Sequence, residues 1–152
     1  MLGRIVLFAL SAIALAFIFF LLMRAKADEI GSFEKTTIKI DKATFLVYVA
    51  DTYQKRSQGL MNVTGLPLGK GMIFVFPRQA PVTFYNKNTL IPLDIVWIKE
   101  GEVQGFASLP SIGRRITYLQ SPYPVDSVLE LPRGSIKRYN LAIGDALLFP
   151  KR

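Results

Sequence analysis

The chain has 152 residues, of which 51% are hydrophobic, and its formal net charge at pH 7 is +8. It contains neither cysteine nor histidine, which excludes disulfides, thiolate or imidazole metal sites, cysteine nucleophiles and Ser-His-Asp triads. We therefore expect no metal site and no cofactor, and any catalysis would depend on Asp, Glu, Lys, Tyr, Ser or Thr.

The N-terminus carries an apolar stretch that is long enough to cross a bilayer. Residues 5–23 are 19 consecutive side chains without a charge, and Ser11 is the only polar one among them. At about 1.5 Å of rise per residue, a helix of this length matches a hydrocarbon core of roughly 30 Å. Arg4 precedes the stretch, and Arg24 and Lys26 follow it. We predict that residues 1–27 form a transmembrane anchor or a signal segment.

The segment could be retained or cleaved, and in both cases the rest of the chain would lie outside the cytoplasm. A retained helix gives a single-pass membrane protein with its domain outside the cytoplasm. Cleavage after the small-x-small sequence at residues 25–27 gives a secreted or periplasmic protein instead. The stretch exceeds the roughly 7–15 apolar residues of a usual signal peptide, which favours the anchor. Residues 28–35 would then be a linker and residues 36–152 the domain.

Beyond the linker, short runs of β-branched and aromatic residues alternate with turn residues, as is typical of an all-β domain. Residues 36–40 and 45–50 predict an opening hairpin, and the apolar run at 72–76 predicts a strand that is buried on both faces. We count about eight or nine strands. Residues 52–58, with Asp51 as N-cap, predict one short helix, and residues 135–139 predict one helical turn. We expect an antiparallel β-sandwich or barrel.

Several of these runs carry the motifs of a known family. In chain order they are GLM at 59–61, LP at 66–67, GMIFVF at 71–76, KNTLIPLDI at 87–95, VLEL at 128–131 with Gly134, and GD at 144–145. On these motifs, residues 36–149 resemble the family called domain of unknown function 192, also known as uncharacterised protein family 0127. The resemblance implies a jelly-roll-like β-sandwich, often preceded by an N-terminal signal or anchor. It implies no established activity.

Two short stretches of the chain depart from the family pattern. The family usually has Phe-Trp-Met before Lys-Asn-Thr, whereas this chain has Phe-Tyr-Asn at residues 84–86. An Arg commonly follows shortly after Gly-Leu-Met, whereas Asn-Val-Thr stands here at residues 62–64. If the family's function uses these side chains, this protein has altered it.

The stretch around the KNT motif is the candidate ligand site. Phe84 and Tyr85 would supply a flat apolar wall, Lys87 a cation, and Asn88 and Thr89 hydrogen bonds. This combination suits a saccharide or another small polar ligand. The alternative is architectural, because Asn and Thr side chains satisfy backbone groups in tight turns and Asn tolerates positive φ.

Asp94 interrupts an otherwise apolar strand, where a carboxylate is costly unless it is paired or hydrogen-bonded. Lys87 and Arg56 are the expected partners. Asp94 is therefore a structural ion pair, a site acid or base with a shifted pKa, or a residue exposed at a sheet edge. We place Arg56, Asp94 and Met61 in the candidate site, although a place in the core is the favoured interpretation of Met61. Glu130 stands between two leucines, so alternation predicts that its side chain faces away from the core.

Two classes of function fit these features. The first is a binding module of the cell envelope that recognises a saccharide, a lipid head group or a protein partner. The second is a hydrolase that uses Asp and Glu, but a glycosidase needs two facing carboxylates about 5–9.5 Å apart and no motif carries such a pair. We therefore favour a binding module over an enzyme. We expect a monomer, and we expect no nucleic-acid partner because an exported domain rarely meets one.

Overall fold

The computed structural model describes residue 31 and residues 33–149. The predicted membrane segment at residues 1–27 lies outside the described residues, as does part of the linker at 28–35. Within the described residues, no helix is both long enough and apolar enough to cross a bilayer. Residues 33–149 belong to one compact unit.

The described part of the chain contains nine strands and two short helices, joined by turns and loops. The strands are β1 (Lys35–Ile40), β2 (Ala43–Ala50), β3 (Lys70–Ala80), β4 (Thr83–Tyr85), β5 (Leu93–Lys99), β6 (Glu102–Leu109), β7 (Tyr118–Gln120), β8 (Val125–Pro132) and β9 (Leu147–Leu148). The helices are α1 (Tyr53–Gln58) and α2 (Ser135–Tyr139). The predicted all-β class is confirmed.

Seven strands form one curled sheet, a half-barrel, in the order β6-β5-β8-β3-β2-β1-β9, and β4 pairs with β7 in a separate two-stranded ribbon. The predicted opening hairpin is β1 paired with β2. One pairing departs from the predicted antiparallel architecture: β2 and β3 run parallel, from Leu46 opposite Lys70 to Ala50 opposite Phe74. The physical reason is the crossover through α1 and the loop after it, which returns the chain to the start of its neighbouring strand.

A short segment at residues 144–147 joins the two ends of the sheet. On the β1 side, the Asp41 amide donates to the Ala146 carbonyl over 3.1 Å. On the β6 side, the Val103 amide donates to the Asp145 carbonyl over 2.9 Å. Because the same segment bonds next to β1 and to β6, it closes the curled sheet at this point.

The concave face of the sheet holds the main core. Phe45 is fully buried there and meets Tyr139 of α2 edge-on, with ring centres 4.9 Å apart, so α2 covers one end of the interior. Burying each such side chain stabilises the fold by roughly 1.5–3 kcal/mol. The buried members of this cluster are Ile38, Ile40, Phe45, Val47, Val49, Ile73, Val96, Ile98, Val103, Leu129, Leu131 and Leu141.

The outer face of the sheet is also covered. Phe84 of the β4–β7 ribbon meets Phe74 at 4.9 Å and Trp97 at 5.9 Å between ring centres, both edge-on. Trp97 is consequently only 1% exposed. The ribbon, α1 and the loop after α1 therefore form a second layer, and this layer positions the candidate site.

Gly71 marks a close approach of β3 to β8. A Cβ atom there would lie 2.6 Å from the Glu130 carbonyl oxygen and 2.7 Å from Leu131 Cδ2. We expect Gly71→Ala to lower the free energy of unfolding by about 2 kcal/mol, because overpacking forces neighbouring groups to move. Urea denaturation would measure this loss. Gly113→Ala is the matched control, since its Cβ would meet no atom within 4 Å. Equal stability of the two variants would contradict the prediction.

A candidate ligand-binding cleft

A cleft of about 380 Å³ opens on the outer face, between α1 and β4. Phe74, Phe76 and Glu130 from β3 and β8 form its floor. One wall is α1 with the turn that follows it, and the other is β4 with Thr89. The wall residues are Tyr53, Arg56, Ser57, Gln58, Gly59, Leu60 and Met61 on the first side and Val82, Thr83, Phe84, Tyr85 and Thr89 on the second.

The start of α1 fixes the first wall. Thr52, rather than the predicted Asp51, is the N-cap: its hydroxyl accepts a hydrogen bond from the Lys55 amide over 3.2 Å. Asp51 lies one residue earlier, and its carboxylate pairs with Lys55 Nζ at 2.8 Å. The helix ends as predicted: Gly59, with a φ of 51°, follows its last residue.

Arg56 is held against this wall by its own hydrogen bonds. Its Nη1 donates to the carbonyl oxygens of Asp51 and Val75, each over 2.8 Å. Its guanidinium carbon lies 5.3 Å from the centre of the Phe76 ring, a cation–π contact. Since these contacts leave the rigid fork of the guanidinium little freedom, Arg56 provides a fixed positive charge in the cleft.

Glu130 supplies a carboxyl group on the floor and is only 4% exposed. Its cross-strand neighbours are Met72 on β3 and Ile95 on β5, both fully buried. Among the described residues, none makes a hydrogen bond to its Oε2 atom. Burial raises the pKa of Glu130 from 4.5 to about 8, because the charged form loses its hydration. At neutral pH the group is therefore mostly a neutral acid with one O–H donor.

The predicted orientation of Glu130, away from the core, describes only one of the two covered faces of the sheet. The side chain does point away from the barrel interior, into which Leu129 and Leu131 project. The outer face is covered too, so Glu130 is buried there. The covering layer is built from a three-residue strand, a six-residue helix and loops, which leave no periodic signal in the sequence.

The structure brings five of the eight predicted site residues to this one cleft: Arg56, Met61, Phe84, Tyr85 and Thr89. Lys87 and Asn88 are exposed and do not line it. Asn88 has a φ of 56°, which suits the turn role that Asn tolerates. Ten lining residues were absent from the predicted site, and Glu130 is the one carboxylate among them.

Asn86, at the end of β4, fixes the second wall. It is 1% exposed, and its Nδ2 donates to the carbonyl oxygens of Pro110 and Ser111 over 3.1 and 3.2 Å. Its Oδ1 accepts from the Thr117 amide over 2.7 Å. The polar turn at residues 86–89 therefore ties β4 to the loop before β7, so part of it is architectural.

Asp94 lies away from the cleft, beside α2. Its Oδ2 accepts hydrogen bonds from the amides of Gly134 (2.8 Å) and Ile136 (3.1 Å), at the start of that helix. Its ionic partner is Arg133, with 3.7 Å between Nε and Oδ1, and not the predicted Lys87 or Arg56. Asp94 therefore anchors α2 and takes no part in the cleft.

A domain with this curled sheet and cleft has known relatives. A model of the family DUF192, described as "Uncharacterized ACR", matches residues 36–149. The chain belongs to this family, as its motifs predicted.

Two solved structures are similar over most of the chain. One is a proposed transcription regulator from Sinorhizobium meliloti 1021, with a TM-score of 0.71 and 30% identity over 77% of this chain and 95% of that one. The other is a protein of unknown function from Novosphingobium aromaticivorans DSM 12444, with a TM-score of 0.73 and 26% identity over 80% of this chain and 89% of that one. No curated protein matches the chain.

Proposed function

We propose that this protein is a binding module of the cell envelope whose cleft between α1 and β4 binds a saccharide. The observation that carries this proposal is the cleft itself, which combines aromatic walls with a fixed cation and a buried neutral acid. Such a pocket, mostly apolar with a few convergent polar groups, is typical of small-ligand sites. Tyr53 and Tyr85, the exposed aromatic side chains of its two walls, offer ring surfaces to the C–H faces of a sugar.

The other predicted ligand classes fit the cleft less well. A lipid head group is recognised by its phosphate, which proteins usually bind with several cations or with the amides of a helix N-terminus. Arg56 is the only basic side chain that lines the cleft. A protein partner usually buries about 800 Å² on each side, over a broad surface, whereas this site is a narrow concavity.

The cleft also favours binding over hydrolysis. Glu130 is the only carboxylate among the residues that line it, and glycoside hydrolysis by paired carboxylates requires two. The described residues also contain no group of three or more acidic side chains that could hold a metal ion.

The location and the finer fold description belong to the same proposal. Residues 5–23 would anchor the chain, with the domain outside the cytoplasm, because their length and apolar character match a bilayer. The jelly-roll-like description is supported by the curl of the sheet and by its closure through residues 144–147.

The test is direct binding of saccharides to the full chain in phospholipid nanodiscs, detected by saturation-transfer NMR. We expect binding by monosaccharides and disaccharides, since these match the size of the cleft. We expect Tyr53→Ala to weaken this binding about fivefold, because Tyr53 is an exposed aromatic side chain of the α1 wall. Tyr123→Ala, an exposed aromatic side chain that does not line the cleft, is the matched control. The absence of any saccharide signal would refute the proposed function.

A further inference from the structure

Resting on the proposed function, we propose that the cleft selects an acidic sugar, a uronic acid, whose carboxylate binds the Arg56 guanidinium while a ring oxygen or hydroxyl binds Glu130. This inference names the class of saccharide from the charges and donors that line the cleft.

The first step concerns the charge of the cleft. Arg56 is its one basic side chain and Glu130 its one acidic side chain. Since Glu130 is mostly protonated at neutral pH, the cleft carries a net positive charge there. The chain beyond the membrane segment adds to this, with 16 basic against 11 acidic side chains. An anionic ligand is therefore attracted, and a cationic one is repelled.

The second step concerns Arg56. A guanidinium is a planar fork of five N–H donors that matches a carboxylate in two parallel hydrogen bonds. Nη1 is already committed to the Asp51 and Val75 carbonyl oxygens, and the Phe76 ring supports the plane. The fork is therefore fixed before a ligand arrives, so little side-chain entropy is lost on binding. The single positive charge of the guanidinium matches the single negative charge of a uronic acid carboxylate.

The third step concerns Glu130. Its Oε2 is buried without a partner among the described residues, and an unsatisfied buried polar atom destabilises the folded state. A sugar hydroxyl or ring oxygen that reaches the floor, with a small shift of the side chains that cover Oε2, would satisfy this atom. Burial raises the pKa of Glu130, so at neutral pH the group presents an O–H donor to a ligand. The other titratable side chains that line the cleft are Tyr53 and Tyr85.

The experiment compares methyl β-glucuronide with methyl β-glucoside, which share one ring and differ in the carboxylate. With the full chain in nanodiscs at pH 7, we expect the glucuronide to bind at least tenfold more tightly. Arg56→Gln should reduce its affinity to that of the glucoside. Glucosamine, which is cationic, should bind more weakly than either.

A pH series gives a second readout that does not depend on the folding of an Arg56 variant. The affinity for the glucuronide should fall at least fivefold between pH 7 and pH 9.5, because ionised Glu130 repels the anion. Glu130→Gln should bind more weakly at pH 7 but show no such fall. ¹³C NMR of two methionine methyl groups would follow ligand binding and the ionisation of Glu130. Met61 lines the cleft, and Met72 lies beside Glu130.

The outcomes separate this inference from the proposed function. Equal affinity for the glucuronide and the glucoside would overturn the preference for an acidic sugar while saccharide binding stands. A preference that persists in Arg56→Gln, or a pH profile that is unchanged in Glu130→Gln, would overturn the assigned contacts. Binding of neither sugar would refute the proposed function itself.

Discussion

The free energy of unfolding is expected to fall as the pH rises from about 4.5 to about 8, and Glu130→Gln is expected to remove this fall. Burial holds the pKa of Glu130 at about 8 in the folded chain, against 4.5 for an ordinary glutamate. Between these values the folded state binds one proton more than the unfolded state, so raising the pH favours unfolding. The free energy of unfolding should fall by roughly 1 kcal/mol per pH unit over this range, and it should stop falling above the folded-state pKa of Glu130.

Urea denaturation of both proteins at a series of pH values would measure this effect. The informative quantity is the difference between the two stability curves, since the remaining titratable groups are common to both chains. Glu102→Gln provides the matched control, because Glu102 is exposed and its loss should leave the wild-type slope in place. Parallel curves for the wild type and Glu130→Gln would show that Glu130 ionises normally in the folded chain.

Asp94→Ala is expected to lower the free energy of unfolding by about 3 kcal/mol. The carboxylate is 4% exposed and accepts hydrogen bonds from the Gly134 and Ile136 amides. Removing it leaves two amides without their acceptor, each at a cost of about 1–3 kcal/mol. The start of α2 has no capping side chain of its own, so no local group replaces Asp94. Thermal or urea denaturation would measure the loss.

Two variants distinguish the contribution of the Asp94 hydrogen bonds to stability from the contribution of its charge. Asp94→Asn keeps an acceptor oxygen and should lose less than half as much stability. Arg133→Gln removes the ionic partner, which is 47% exposed at its side chain and 3.7 Å away, and it should change stability by less than about 1 kcal/mol. An Asp94→Ala protein as stable as the wild type would mean that α2 does not depend on this carboxylate.

The strands and the family were accessible from the sequence because their signals are local. The alternation in β1 and β2 and the continuous apolar run in β3 each reflect the neighbours that a strand has on its two faces. The KNTLIPLDI string extended this to the family, whose model matches residues 36–149. The parallel pairing of β2 with β3 was not accessible, because strand order is decided by long-range contacts that leave no mark on either strand.

The candidate site was predictable to the extent that its side chains are aromatic and close in sequence. Phe84, Tyr85 and Thr89 lie within six consecutive residues, and they line one wall. Glu130 was missed because a polar residue in an alternating strand resembles a solvent-facing one until a second layer covers it. The partners of Asp94 were also missed, since backbone amides at the start of α2 carry no side-chain signature.

The segment at residues 144–147 has a further consequence for the behaviour of the domain in solution. Unpaired strand edges are templates on which another chain can add a strand, and natural proteins cover or shorten them for that reason. This segment hydrogen-bonds at once to β1 and to β6, the strands at which the sheet would otherwise end. A few residues near the C-terminus thereby protect two edges against self-association, and their loss would expose both together.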